Sequence, residues 1–410
     1  MELKRKYNLF EVTGIELEYM IVDRDTLKVN PIADMLMYDK SGEYAADIYN
    51  GRIEWSNELV NHVIELKTHK PESSLRGVAT AFQKNIEEIN NLLAAHNAML
   101  LPSASHPFMN PESETVLWKH DYSEIYDLYN RIFECRGHGW SNLQSMHLNL
   151  PFSNDEEFSR LHTAIRLLLP IIPALSASSP MLDGKLTGWS DSRMEAYLHH
   201  QELVPSLMGK LIPEAISGED EYYLKIFNPI KKDIGPMDKN NVMEHHFLNS
   251  RGAIARFDRG AIEIRVIDIQ ECPDADIAVA SLITEVLRLI INEKWAKYAY
   301  QSIWHEDDLF NVFHSVIKNG ENTGIENGAY LKMFGVTQNR MKALDLWRHL
   351  YNEAGNKLNR NDADHIKLIL QEGTLSSRIV KKMDGNPDHY NILKTYRQLA
   401  DCLNKNVQFQ

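Results

Sequence analysis

Cysteine is scarce: Cys135, Cys272 and Cys402 are too few and too scattered among 410 residues for a disulfide framework or a structural zinc site, so a reducing cytoplasm is the expected setting. No apolar run is long enough to cross a bilayer, which speaks against a membrane partner. The start, MELKRKYNLFEVTGIE, has basic residues but no apolar stretch behind them, so nothing there suggests secretion. Positive charge is in short supply too. The 44 Lys and Arg against 57 Asp and Glu leave −13, with no long basic stripe, which argues against a nucleic-acid partner. An anionic substrate would need local positive charge from bound metal or a few well placed arginines. Internal repeats and low-complexity tracts are absent. The remainder is ordinary for a globular chain, 43% hydrophobic and 25% charged, and long enough to bury a sizeable core.

Against that background the segment GIELEYMIVD stands out. Strand alternation puts Glu16 and Glu18 on one face and Ile15, Leu17, Tyr19 and Ile21 on the other. Neighbouring carboxylates repel unless something positive sits between them, and a divalent cation with oxygen ligands is the usual remedy. An isolated Glu-x-Glu is more often the solvated face of an antiparallel sheet. Company further along the chain lowers that reading here.

A second alternating stretch runs from Val60 to Thr68 and places Glu65 and Lys67 opposite Ile64 and Leu66. The three- and four-residue spacing of Leu75, Val78, Phe82, Ile86, Ile89 and Leu93 predicts a long amphipathic helix from about Glu72 to Met99. LLPSASHPF reads as extended and Tyr122 to Phe133 as helical. SNLQSMHLNLPF alternates again, with Ser145, His147 and Asn149 on one face, and Ser153 is placed to cap the helix that follows. SSPMLDGKLTGWSDSR reads as a ligand-facing loop, EYYLKIFN as a strand, and GAIARFDRGAIEIRVIDIQ as alternating. From about Asp274 onward the pattern is mostly helical. His245 and His246 read as surface or loop histidines, and Arg378 as part of a solvated helix face. Asp268 and Arg256 lie near the last alternating stretch, but the parity of Asp268 differs from that of Glu263.

Strands separated by helices of varied length predict an α+β protein, with a largely antiparallel sheet covered on one face and open on the other. Four alternating segments bring polar residues to the open face: Glu16 with Glu18, Glu65, His147, and Glu263 with Arg265. Such an arrangement is electrostatically costly without cations to organise it. Taken singly, His147 could be a satisfied strand histidine, Glu58 a surface loop acid, Arg193 a helix cap, and Glu263 with Arg265 a same-face ion pair of small value.

GIELEYMIVD, NELVNHVIELKT, SHPF, SMHLNLPF, LTGWSDSR and GAIEIRVIDIQ, in that order over residues 11–285, resemble the glutamate-cysteine ligase type 2 family of carboxylate-amine ligases. The resemblance implies a glutamine-synthetase-like fold, a curved antiparallel sheet forming an active-site funnel covered by helices. It implies ATP and two or three magnesium or manganese ions as cofactors. Carried over residue by residue, Glu16 and Glu18 match the first metal strand, Glu58 and Glu65 the second acidic pair, His147 the metal and nucleotide strand, and Glu263 and Arg265 the late Glu-x-Arg strand. Arg193 resembles an arginine that approaches the transferred phosphate or the substrate carboxylate, so Arg193 and Arg265 are the expected catalytic residues and His147 and Arg265 the expected nucleotide contacts. Two departures stand out: Ser145 replaces the first histidine of a His-x-His common in the bacterial branch, and Ala104 and Ser105 stand where relatives often have Gly-Thr.

By the same resemblance residues 1–295 form the catalytic core and residues 296–410 a helical segment packed on it. The implied substrates are L-glutamate and an amine such as L-cysteine, joined through an acyl phosphate as in the first step of glutathione biosynthesis. Another carboxylate or amine, a degenerate nucleotide-binding member and, more distantly, a phosphagen kinase stay open, as does assembly into a homo-oligomer.

Overall fold

A computed structural model describes residues 7–240, 242–243, 245–384 and 386–410, without the side chains of His245 and His246. The expectation for those two histidines thus lies outside the described residues, although the backbone from His245 to Leu248 forms a short helix.

The centre is an eight-stranded antiparallel sheet. Its strands are β1 (Gly14–Asp23), β2 (Asp47–Asn50), β3 (Ile53–Asn57), β4 (Val63–Thr68), β5 (Ala98–Leu101), β6 (Ser145–Pro151), β7 (Ala253–Arg256) and β8 (Ala261–Asp268). They lie in the order β2-β3-β4-β1-β6-β8-β7, with β5 on the far end of β1. The four segments expected to share a face, β4, β1, β6 and β8, are thus immediate neighbours. In the turn joining β7 to β8, Gly260 takes a φ of +64°, a conformation costly for residues with a Cβ.

Alternation divides the sheet as the sequence predicts. Ile15, Leu17, Tyr19 and Ile21 are fully buried, with Ile64, Leu66, Met146, Leu148, Ile262 and Ile264 beside them. They pack on α1 (Val78–Leu93), α3 (Asp155–Leu168) and α5 (Pro273–Ile291). Each such side chain contributes roughly 1.5–3 kcal/mol on burial, so this face dominates stability. The opposite face is closed at one end, where Met20, Val22, Met99 and Leu101 meet Ile379, Ile392, Tyr396 and Leu399 of α6 (Leu375–Lys382) and α7 (His389–Lys405), and it is not the open face the sequence predicts, since Glu18, Glu65, His147 and Glu263 are buried there too. Two further helices, α2 (Ser123–Phe133) and α4 (Ser192–His199), carry residues that meet the acid face.

Several local expectations change. EYYLKIFN is helical, passing from an α turn through a π turn at Tyr223–Phe227 into a helix at Asn228–Ile234. Tyr222, Ile226, Ile230 and Ile234 recur every fourth residue and are all buried, a period that an eight-residue window hides. α1 starts at Val78, after Gly77 in a left-handed conformation at φ +74°, and ends at Leu93, so Glu72 bridges Thr13 instead and Met99 already lies in β5. The cap of α3 is Asn154, whose side chain accepts from Glu157 N, while Ser153 bonds the Glu157 carboxylate. Arg378 is not on a solvated face: it is 4% exposed, with Nη1 2.5 Å from Glu271 Oε1 and 2.6 Å from the Phe409 carbonyl.

Candidate active site

Register puts the acidic residues together. Glu18 stands opposite Glu65, Glu16 opposite both His147 and Lys67, and Glu263 opposite Asn149, all on the face away from the core. His147 is the hub. Its Nδ1 donates to Glu16 Oε2 at 2.8 Å and its Nε2 lies 2.9 Å from Ser145 Oγ. Ser145 in turn donates to Glu18 Oε2 from its amide at 2.6 Å and its hydroxyl at 2.9 Å. Burial opposes a charged imidazole, but the bond to Glu16 and the charge of Glu18 prevail and raise the His147 pKa. Asn149 Nδ2 completes the cradle, 3.0 Å from Glu16 Oε1.

The carboxylates differ sharply. Burial works against the charged form of Glu16, yet His147 and Lys67 hold its pKa at about 2. Glu58, in the loop between β3 and β4, is pushed up to about 7 by burial and by Glu18. Glu65 is raised by burial and by the charges of Glu16 and Glu58. Five carboxylates (Glu16, Glu18, Glu58, Glu65, Glu263) thus share a pocket with three cationic side chains (Lys67, His147, Arg265), and burial with unrelieved repulsion falls on Glu58 and Glu65.

Two sets of donor atoms, from Glu16, His147 and Glu263 and from Glu18, Glu65 and His147, each fall within 4.8 Å of one another. Carboxylate oxygens with one imidazole suit hard divalent ions such as magnesium or manganese. The excess of negative charge is the imbalance such ions would relieve, so the residues fit the metal that the resemblance implies. Glu58 belongs to neither set but adjoins Glu18.

The two arginines are placed differently. The Arg265 side chain is 31% exposed and its Nε lies 3.0 Å from Glu263 Oε1, an ion pair without a hydrogen bond. Arg193 is 3% exposed, with Nε 2.5 Å from Asp268 Oδ1 and both Nη groups 3.4 Å from the Arg265 carbonyl. It opens α4, capped by Asp191, whose Oδ1 accepts from Met194 N at 2.8 Å. α4 seats closely on the His138–Ser141 turn, where a Cβ at Gly139 would lie 2.5 Å from the Ala196 carbonyl oxygen.

Sequence reasoning set Asp268 aside on parity. A β-bulge between Ile264 and Ile267 inserts one residue and returns Asp268 to the acid face, opposite Ser145. There it is fully buried and accepts from Ser178 N at 2.7 Å, Ser179 Oγ at 3.0 Å and Arg193. Lys67, Ser145 and Asn149 were legible as face residues but not as members of the cluster. None of the cysteines offers a ready thiolate: burial raises Cys272 and pushes Cys135 and Cys402 up to about 12 and about 11.

A pH dependence follows. Glu58 and Glu65 are raised in the fold, so from about pH 4.5 to about 7 the folded chain holds more protons than the unfolded one and stability falls as pH rises. His147, also raised, adds stability below its unfolded pKa that is lost as pH rises through its folded one. Glu16 acts oppositely, its contribution present above 4.5 and lost as pH falls toward 2. The effect is read as a difference, because buried histidines such as His62 and His106, lowered to about 4, add stability as pH rises through the same window. In chelator, Glu58→Gln should gain stability over the wild type between about pH 5 and 7, and magnesium or manganese should shrink that gain. An equal pH dependence for the two proteins in chelator would refute this balance of charges.

Comparisons with known proteins bear on the family and the fold. The family model described as glutamate-cysteine ligase family 2 matches residues 12–389. An uncharacterized protein of Archaeoglobus fulgidus is 31% identical over 96% of this chain and 98% of its own length. A protein of Ruegeria pomeroyi named "Putative glutamate--cysteine ligase 2" is 22% identical over 73% of this chain and 70% of its own. Among solved structures, a glutamate–cysteine ligase of Francisella tularensis in complex with AMP superposes with a TM-score of 0.56 at 15% identity, covering 98% of this chain and 90% of that one. A bifunctional glutathione synthetase of Pasteurella multocida gives 0.66 at 11% identity over 97% of this chain, which spans only 53% of that protein. The fold is the glutamine-synthetase-like one of these ligases. Among the described residues no helix is long and apolar enough to cross a membrane.

Proposed function

The chain belongs to glutamate-cysteine ligase family 2, and from that premise we propose that it is an ATP-dependent ligase joining the γ-carboxylate of L-glutamate to an amine, in the simplest case that of L-cysteine. The observation that carries the reading is the acidic bed of β1, β4, β6 and β8 gathered on His147 with Arg265 at its edge.

A carboxylate is a poor acylating agent because it would have to expel oxide. ATP supplies the remedy: a carboxylate oxygen attacks the γ-phosphorus, ADP leaves, and the amine then displaces phosphate from the acyl phosphate to form the amide. Glu16, Glu18, Glu65, Glu263 and His147 would hold divalent ions, with Glu58 adjoining; once bound, these supply charge neutralisation for the triphosphate and the transferring phosphoryl group. His147 must give up a proton to ligate, so metal binding is expected to release one. Arg265 is the cation offered to the incoming phosphate or carboxylate, since its Nη groups make no hydrogen bond among the described residues. Arg193, its guanidinium already engaged by Asp268, is a positioning residue that holds β8 at the Arg265 carbonyl. No side-chain nucleophile is needed.

A different amine is favoured by one feature. On α2, Tyr126 feels the charge of Glu58 and Tyr129 that of Arg265, and Tyr129 packs on Trp140 with ring centroids 5.5 Å apart. Aromatic surface beside the acids suits an acceptor bulkier than cysteine. ADP release from ATP and magnesium, with glutamate alone, with cysteine and with a panel of other amines, tests both readings when product mass is followed in parallel. Cysteine-dependent release with a γ-glutamylcysteine product supports the first. Release driven by another amine moves the assignment to that acceptor, and no release with any pair counts against a ligase of glutamate.

A further inference from the structure

β1 changes partner halfway along, and Ser145 stands at the change. The first half of the strand pairs with β6, from Gly14 opposite Asn149 to Leu17 opposite Met146, and the second half with β5, from Met20 opposite Leu101. Ser145 opens β6 one residue beyond the last of the first pairs, and there its amide turns to a side chain, donating to Glu18 Oε2 at 2.6 Å. The Ser145 hydroxyl adds a second bond to the same oxygen at 2.9 Å and lies 2.9 Å from His147 Nε2. Ser145 is 4% exposed, so little water reaches these bonds. Two donors anchor the Glu18 carboxylate by one oxygen and leave the other, Oε1, facing His147 at 3.9 Å. Ser145 belongs to neither set of donor atoms, yet it touches two of the three members of the set formed by Glu18, Glu65 and His147.

We propose that Ser145 is a positioning residue that presets Glu18 for a divalent ion, so that the affinity of the acid bed for metal depends on a hydroxyl that need not touch the ion. This rests on the reading of Glu18, Glu65 and His147 as metal ligands. Groups that orient metal ligands are commonly worth about ten- to a hundredfold in affinity. The lower end applies here, because the Ser145 amide keeps its bond to Glu18 whatever side chain stands at 145.

The test is the manganese affinity of the intact chain without nucleotide, read from the free-ion paramagnetic resonance signal, with circular dichroism as a check on folding. Ser145→Ala is expected to bind manganese about tenfold more weakly than the wild type. In a Glu18→Gln background, itself weaker than the wild type, the same change should cost less than about twofold more, because a residue that acts through Glu18 has nothing left to position. Wild-type affinity in Ser145→Ala overturns the proposal, and so does a full tenfold loss in both backgrounds. A merely structural serine would lower the melting temperature in chelator and leave the affinity of the folded chain unchanged, which overturns it as well. Should Ser145→Ala fail to fold, Ser145→Cys, similar in shape and a weak donor, takes its place with the same expected loss. Wild-type affinity in Glu18→Gln would remove the metal reading itself, whereas a weakened Glu18→Gln beside an unchanged Ser145→Ala removes only the role of Ser145.

Discussion

Glu18→Gln will lower turnover by about a thousandfold and leave the melting temperature close to that of the wild type. The Glu18 carboxylate has separable tasks. Oε2 accepts two hydrogen bonds from Ser145, which a glutamine carbonyl oxygen reproduces. Oε1 faces His147 at 3.9 Å, without a hydrogen bond between them, which leaves it for a metal ion on the proposed reading; an amide nitrogen cannot act there. Loss of one preorganised electrostatic partner at a phosphoryl-transfer site is worth about 3–4 kcal/mol. Removing a like charge also relieves Glu58, so the stability cost is small or reversed. Glu16→Gln should lose as much activity and more stability, because both Glu16 oxygens accept hydrogen bonds, from His147 and Asn149, and one would be replaced by a donor. Steady-state ADP release and thermal melting check both. Wild-type turnover in the two variants would remove the metal role of β1.

Arg193→Met is expected to cost about 3–5 kcal/mol of stability, the usual penalty for stranding one partner of a buried ion pair. Asp268 would remain fully buried beside Asp191, whose own pKa is already raised by burial and by Asp268. The double variant Arg193→Met with Asp268→Asn should recover much of the loss, since no stranded charge remains. Denaturant midpoints of the four proteins in the cycle measure the coupling. Turnover should fall in Arg193→Met even where it is fully folded, because the Arg265 carbonyl loses both Nη groups of the one guanidinium beside it. Additive effects on stability would mean the pair does not act as a unit.

The sheet and its core face were legible because period-two alternation is a local signal: in GIELEYMIVD, Ile15, Leu17, Tyr19 and Ile21 enter the core as read, while the burial of Glu18, Met20 and Val22 on the other face left no mark in the sequence. Order among the strands was not, yet the four polar segments proved contiguous as expected. Asp268 escaped because a bulge changes parity and leaves no mark in composition. Arg378 escaped because its partners, Glu271 and the Phe409 carbonyl, are distant in sequence. EYYLKIFN misled because aromatic and β-branched residues favour strands locally, while the buried four-residue repeat that makes it helical extends past the segment to Ile234.

The most direct test of the central claim follows an oxygen atom. Glutamate carrying 18O in its γ-carboxylate is turned over with ATP, magnesium and the amine that drives ADP release, and the inorganic phosphate is analysed by mass. An acyl phosphate requires one carboxylate oxygen to leave with the phosphoryl group, so the account predicts one 18O in phosphate for each amide formed. Phosphate free of label, with amide still produced, would contradict it.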